Sequence, residues 1–436
     1  MNEQLIKEDN VPFGSDIDGL KEEHSRQGTS LSLRTIPKRF FAVLKKNTIL
    51  QRLYYFLFKL MGKLPVKKKL IMLESYLGKQ YSCNPRAIYE YMRAYYPEYT
   101  LVWSVDAGYL QFFKDKNIPY VKRFSLQWLL SMTRARYWIT NSRLPLLLPK
   151  PSHTTYIQTW HGTPLKRLAS DMEEVHMAGM TTQKYKDDFH EESSKWDYLI
   201  SPNAYSSEIF KRAFNFNKKL IESGYPRNDY LFHANDDKVI RNLKKNCGLP
   251  MNKKVILYAP TWRDDQFYES GKYKFDLELD LNKMRDTLGE DYIIMLRMHY
   301  LVAENLDLSS YKGFAYDFSK YEDIRDLYLI ADLLITDYSS VFFDYGILKR
   351  PMIFYVYDIE TYRDKLRGFY FDFEKKAPGP LVKTTEEVIH TIKALDPDEF
   401  SGSIQFKEFY DRFCYLEDGY ASKRVVDKIF QKNKVL

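Results

Sequence analysis

Two stretches of this chain end a β-type run on a polar turn, and both carry side chains suited to phosphate chemistry. The first is Gln158-Thr159-Trp160-His161-Gly162-Thr163-Pro164-Leu165. The second is Ile335-Thr336-Asp337-Tyr338-Ser339-Ser340-Val341-Phe342-Phe343-Asp344. In each, the turn opens a helical pattern. Such a junction presents backbone N–H groups and the positive end of a helix dipole, a combination that suits anions. The stretches lie about 180 residues apart, the separation expected of one in each of two domains. The expectation is a phosphate-containing donor held in the cleft between them.

Each candidate residue has a plainer reading beside the chemical one. His161 in a turn can accept a proton from an attacking hydroxyl near neutral pH, or it can simply fasten the turn. Gly162 permits close backbone approach, and Pro164 suits a first helical turn. Arg297 and His299 are alternate residues at a strand end, so their side chains share one side. That face can clamp a phosphate or form an ordinary salt bridge. Ser339 and Ser340 stand where a helix should start, as N-caps, as phosphate contacts, or as both. Asp344, one turn further on, can accept from ligand hydroxyls or merely favour the helix N-terminus. Arg227, in the loop Gly224-Tyr225-Pro226-Arg227-Asn228-Asp229, is a candidate phosphate ligand or a solvated loop arginine. No P-loop, GxGxxG, GxSxG or HExxH is present, and Asp396-Pro397-Asp398 reads as a helix cap.

The elements that must position these residues alternate between β and α. Strands are expected at Leu70–Leu73, Leu101–Val105, Tyr137–Thr140, Thr155–Thr159 and Tyr198–Ser201, with helices over 84–95 and about 204–214. A second series is expected at Leu220–Ser223, Val255–Tyr258, Tyr292–Leu296, Leu333–Thr336 and Met352–Tyr355. This alternation implies mostly parallel sheets, whose ligands bind beyond the carboxyl ends of the strands. The polar clusters after Tyr258, Leu296 and Thr336 fall at those ends. The expected order is a mobile polar tail (1–30), a basic amphipathic segment (31–69), one domain (70–215), a second (216–400), and a C-terminal helical stretch (401–436) that packs back across the domains.

Charge and cysteine usage narrow the class. Residues 31–70 hold eleven Lys/Arg and no Asp/Glu, while residues 1–30 are net acidic, so the overall +8 belongs to one segment and not to the fold. Within that segment Ile36, Phe40, Phe41, Leu44, Ile49, Leu53, Phe56, Leu57 and Leu60 recur at roughly helical spacing. A basic helix with aromatics suits an anionic membrane surface, and the competing reading is a helix docked on the protein. A nucleic-acid role is disfavoured, because no nucleic-acid motif follows the basic run. Cys83, Cys247 and Cys414 are scattered, which argues against a disulfide framework or a zinc site. The opening is polar and acidic, unlike a signal peptide, and no apolar run is long enough to span a bilayer.

Taken together in order, several motifs resemble one family. They are Ser75-Tyr76-Leu77-Gly78-Lys79-Gln80-Tyr81-Ser82, the Trp160–Pro164 turn, the Gly224–Asp229 loop and Ala259-Pro260-Thr261-Trp262-Arg263. Arg297-Met298-His299, Thr336–Ser340 with Asp344, and Arg367-Gly368-Phe369-Tyr370-Phe371-Asp372 complete the series. Residues 70–435 are similar to the CDP-glycerol glycerophosphotransferases of teichoic acid synthesis. The resemblance implies a GT-B-like α/β fold of two Rossmann-type domains, with the site in the cleft between them. It implies transfer of a polyol phosphate from CDP-glycerol to a hydroxyl of a wall polymer precursor, with release of CMP. The acceptor is expected to be an undecaprenyl-diphosphate-linked saccharide or polymer at the cytoplasmic face of the membrane. No cofactor and no metal are implied. The donor residues carried over are His161, Gly162, Thr163, Pro164, Leu165, Arg227, Asn228, Pro260, Thr261, Arg297, Met298, His299, Ser339, Ser340 and Asp344. His161, Arg297 and His299 are the expected catalytic groups. Alternatives are CDP-ribitol as donor, a capsule polymer as acceptor, or a non-catalytic protein that grips the precursor.

Overall fold

The apolar runs form two sheets, parallel throughout and buried on both faces. The computed structural model describes residues 47–175, 180–261, 263, 267–269, 272–273, 277–298, 307–363 and 368–430. The first sheet comprises β1 (Lys67–Glu74), β2 (Thr100–Val105), β3 (Tyr120–Lys122), β4 (Ala135–Thr140), β5 (Thr155–Gln158), β6 (Tyr198–Ser201) and β7 (Lys219–Glu222). Their order is β3-β2-β1-β4-β5-β6-β7. The second begins at β8 (Lys254–Ala259). After an antiparallel hairpin of β9 (Phe267–Glu269) and β10 (Lys272–Tyr273), it continues with β11 (Tyr292–Leu296), β12 (Ala315–Asp317), β13 (Leu333–Thr336), β14 (Met352–Tyr355) and β15 (Leu381–Val382). Its order is β12-β11-β8-β13-β14-β15. Strand order reverses at β1 in one sheet and at β8 in the other, which opens a crevice at the carboxyl ends beside each.

Two boundaries differ from the sequence expectation. A division near 215 falls one strand early, because β7 pairs in parallel with β6, Leu199 opposite Leu220 and Ile200 opposite Ile221. Its apolar pattern is local, whereas its partner is set by long-range pairing beside β6. Likewise Lys67–Lys69, counted with the basic segment, are the exposed first residues of β1. The short strands β3, β12 and β15 were not expected. Each is two or three residues at or beside a sheet edge, too brief to show a period.

Helix Thr48–Met61 is the described part of the basic amphipathic segment; residues 31–46 and the tail 1–30 lie outside the described residues. Asn47 caps it, accepting from the N–H groups of Ile49 and Leu50. Tyr54 and Phe58, four residues apart, are buried, and Phe58 meets Trp128 and Trp138 edge-on at 6.5 and 6.3 Å. The other face leaves Ile49, Leu53, Phe56 and Leu60 each more than 60% exposed, at 77, 64, 66 and 64%. The helix is therefore docked on one side and apolar to solvent on the other.

The chain ends by crossing between the two cores. Asp396 caps its helix with its side chain, accepting from Asp398 and Glu399 N–H. Phe406, Phe409 and Phe413 of helix Ile404–Phe413 belong to the core around Phe342, Phe343 and Phe354 of the second sheet. Val425, Val426, Ile429 and Phe430 of helix Ala421–Phe430 belong to the core around Ile71, Tyr137 and Ile157 of the first.

Candidate active site

The turn after β5 is held from three sides. Trp160, with a left-handed φ of 51°, packs its indole against Phe189, Phe210 and Phe214 and stacks on His161 at 4.5 Å. Tyr76, after β1, also meets the imidazole edge-on at 5.7 Å. The Asn141 carbonyl, just past β4, lies 2.7 Å from His161 Nδ1. A carbonyl can only accept, so Nδ1 carries the proton and Nε2 keeps its lone pair. Burial, and secondarily the Arg227 charge, depress the His161 pKa to about 4, although the Asn141 bond opposes this. The ring is thus a neutral imidazole with a free-electron-pair nitrogen, the form a general base needs.

Arg227 grips this turn and spans the cleft. Its Nη1 donates to the His161 carbonyl at 2.8 Å and to Cys83 Sγ at 3.3 Å, while Nη2 donates to Asp344 Oδ2 at 2.6 Å. Asn228 Nδ2 reaches Asp344 Oδ1 at 3.3 Å. Arg227 follows β7 of the first sheet, and Asp344 lies on the helix after β13 of the second. The two residues, read separately from sequence as ligand contacts, are a buried ion pair with each other. The same loop supplies Tyr225, whose hydroxyl donates to the Gly162 carbonyl at 3.0 Å, and Tyr205 does the same for Pro164 at 2.8 Å.

The two organising turns meet at Gly162. A Cβ added there would stand 2.8 Å from Ser340 Oγ and 3.3 Å from Ser340 Cβ. Ser340 occupies the N-cap position of helix Val341–Tyr345, yet its side chain makes no capping hydrogen bond. The N-cap reading of its hydroxyl is therefore set aside; the φ of −67° puts the residue already in helical conformation, not the extended one a cap adopts. The first turn is also paired with the 368–370 segment: Tyr370 N–H donates to the Leu165 carbonyl and Arg167 N–H to the Gly368 carbonyl, at 2.9 and 3.2 Å.

The remaining second-sheet residues lie at strand ends on the same side. Thr261, after Pro260 and β8, donates its N–H to Asp337 Oδ1 at 2.8 Å, and its buried hydroxyl has no partner among the described residues. Asp337 is held in turn by Arg263, which also pairs with Asp358, so these three form a scaffold under Thr261. Arg297 Nη1 donates to the carbonyls of Phe318, Ser319 and Tyr321 at 2.7, 2.9 and 2.7 Å. Burial lowers its pKa, but a guanidinium keeps its charge. The Met298 side chain is in the core, and its N–H donates to Ser319 Oγ, so its side chain is a packing group. His299 and Trp262 lie outside the described residues.

Sequence reasoning placed Tyr76 and Tyr225 only within motifs, read Asn84 as the cap of a helix whose N-cap is in fact Ser82, and gave no role to Asn141 or Glu417. Asn84 donates to the Thr159 and Trp160 carbonyls and accepts from Arg227 N–H. The available signal for the asparagines was their place just after a strand or at a helix start.

A model of the family described as CDP-Glycerol:Poly(glycerophosphate) glycerophosphotransferase matches residues 56–431. The chain belongs to that family. It is 58% identical to the teichoic acid poly(glycerol phosphate) polymerase of Bacillus subtilis (strain 168) over 98% of its own length, and spans 59% of that protein. Against the teichoic acid glycerol-phosphate transferase of Staphylococcus aureus (strain NCTC 8325 / PS 47), identity is 49% over 88% of this chain and 100% of that one. A histidine variant of the wall teichoic acid polymerase TagF, soaked with CDPG, superposes with a TM-score of 0.80. Identity there is 44%, covering 92% of this chain and 97% of the other. The family's GT-B-like arrangement of two parallel sheets is the one described above.

Proposed function

We propose that this chain transfers glycerol phosphate from CDP-glycerol to a hydroxyl of a membrane-lipid-linked wall teichoic acid precursor, releasing CMP. The observation that carries the reading is the contact of Gly162 with Ser340. Ser340, at the end of a second-sheet strand, stands beside the turn that carries the neutral His161. Family membership and the names of the relatives support the donor.

In this reading the acceptor oxygen attacks the phosphorus that bears glycerol, and its proton passes to His161 Nε2. The bond from that phosphorus to the bridging oxygen breaks, and CMP departs with the electron pair. Arg297, His299, Thr261 and the Ser339–Ser340 turn bind the diphosphate and offset the charge that develops on it. Gly162, Thr163 and Pro164 form the wall against which the donor lies, with Pro260 on the opposite side, while the core side chains of Leu165 and Met298 support these walls from behind. Arg227, Asn228 and Asp344 hold the cleft in register, so their effect on the donor runs through the His161 turn.

The acceptor's lipid anchor requires work at a membrane surface, and we assign contact with the anionic cytoplasmic leaflet to helix Thr48–Met61. Its exposed Ile49, Leu53, Phe56 and Leu60 offer apolar area, with Arg52, Lys59 and the exposed Lys67–Lys69 nearby in sequence. Among the described residues no helix is long and apolar enough to cross a membrane.

The test is CMP release from CDP-glycerol and from CDP-ribitol, with and without a lipid-linked acceptor. Acceptor-dependent release from CDP-glycerol, abolished in a folded His161→Ala variant, is the expected result. Faster release from CDP-ribitol would reassign the donor. No release from either would leave a precursor-binding protein.

A further inference from the structure

One acidic side chain beneath the cleft has no role in the transfer so far. Glu417 lies in the connection between helices Ile404–Phe413 and Ala421–Phe430, where the chain crosses from one core to the other, and it is 6% exposed. Its Oε1 accepts from Tyr225 N–H and from Asn228 Nδ2, both at 3.0 Å. Its Oε2 is buried without a partner among the described residues. Asn228 Nδ2 has two hydrogens, one directed to Glu417 and one to Asp344. The asparagine amide therefore bridges two carboxyl groups, and Asp344 in turn holds Arg227, whose other nitrogen holds the His161 carbonyl.

The charges around this acid are unfavourable to its ionised form. Asp344 faces it from the helix after β13, and Asp229 from the start of helix Asp229–His233, where Asp229 is half-buried and accepts from Ala421 and Ser422 N–H. Cys414 and Tyr410 approach from its own stretch, and both are pushed upward by burial first and then by Glu417 and other neighbours. Arg424 is occupied by the Ser223 and Leu416 carbonyls and by Asp418. Arg227 is already paired with Asp344. Space is closed as well: a Cβ on Gly224, at φ +76°, would stand 2.9 Å from the Leu416 carbonyl and 3.1 Å from Glu417 Oε2.

We propose that Glu417 is a positioning residue of the transfer site: as a neutral acid it holds Asn228 against Asp344, and its ionisation loosens the seam that sets His161 opposite Ser340. Both accepted bonds go to one oxygen, and the other is buried with no donor to offset a negative charge on it. Burial, followed by Asp229 and Asp344 and opposed by the two hydrogen bonds, pushes its pKa up to about 8. An added negative charge there competes with Asp344 for the amide of Asn228 and for Arg227. Glu417 touches no reacting atom; it acts through Asn228, Asp344 and Arg227.

The inference rests on reading the cleft as the site of CDP-glycerol turnover, so the experiment has a second arm that needs no turnover. CMP release by the full chain and by Glu417→Gln is compared from pH 6 to 10, together with the thermal midpoint of each. Wild type is expected to lose turnover several-fold between pH 7.5 and about 9, and its midpoint to fall relative to the glutamine variant as pH rises from about 4.5 to 8. The variant, which keeps both accepted hydrogen bonds and cannot ionise, should show neither change. A shared alkaline limb, or a midpoint difference independent of pH, overturns the proposal. If wild type releases no CMP at any pH, the donor reading fails while the midpoint arm still decides the role of Glu417. Should Glu417→Gln fold poorly, Asn228→Asp supplies the same comparison from the other side of the bridge: a second carboxylate against Glu417 should abolish turnover more completely at pH 9 than at pH 6. Equal loss at both would contradict the proposal.

Discussion

Gly162→Ala is the sharpest probe of the cleft, because it adds one methyl group and little else. Gly162 is absent from the glycines with a left-handed φ, so alanine brings no backbone strain. The added Cβ would meet Ser340 Oγ at 2.8 Å, against an ordinary contact of about 3.4 Å or more. Something must move by more than half an ångström. Either Ser340 rotates its hydroxyl away, or the turns after β5 and β13 separate. Overpacking of this kind costs about 1–3 kcal/mol, and if it is felt only at the assembled site it lowers kcat/KM by about 5- to 150-fold. The assay is CMP release at varied CDP-glycerol, with the thermal midpoint as a control for folding. The same substitution in a Ser340→Ala background, where the nearest clashing atom is gone, should lose appreciably less. Wild-type kcat/KM in Gly162→Ala, or an equal loss in both backgrounds, would refute the claim that the two turns touch.

Other outcomes follow from the same geometry. Asp344→Ala strands the buried Arg227 charge and should destabilise the protein by about 3–5 kcal/mol in urea unfolding, with turnover lost as well; an unchanged midpoint would mean the pair is solvated. Because the folded His161 pKa of about 4 lies below the ordinary 6.5, the unfolded chain binds more protons between those values. Stability should therefore fall as pH drops from 6.5 toward 4, and a folded His161→Gln variant should lose that share of the slope in denaturant titrations. Donor binding brings negative charge near the ring, so the His161 pKa, followed by NMR, should rise on adding CDP-glycerol; a further fall would place the diphosphate elsewhere. Leu53→Glu with Phe56→Glu should abolish sedimentation with anionic vesicles while leaving the thermal midpoint within a degree or two, because both side chains are exposed. Phe58→Ala should instead lower the midpoint, losing about 3–5 kcal/mol from the docked face.

What could be read from the chain alone was local. Runs such as Val255–Tyr258 and Leu333–Thr336 are buried on both faces of a parallel sheet, so their apolar character shows without knowledge of any partner. The turns that follow them must be polar, which is why His161, Thr261, Arg297 and Ser340 stood out as candidates. Tertiary structure decided which of these groups face a ligand and which face each other. Arg227 and Asp344 are 117 positions apart and neutralise one another. Ser340 sets its hydroxyl beside Gly162 and makes no capping bond to its own helix, and β7 extends the first sheet beside β6. Glu417 carried no signal, since a single acid in a connecting stretch is usually solvated. Its burial follows from the chain crossing between two cores, a consequence of long-range packing that no short window of sequence contains.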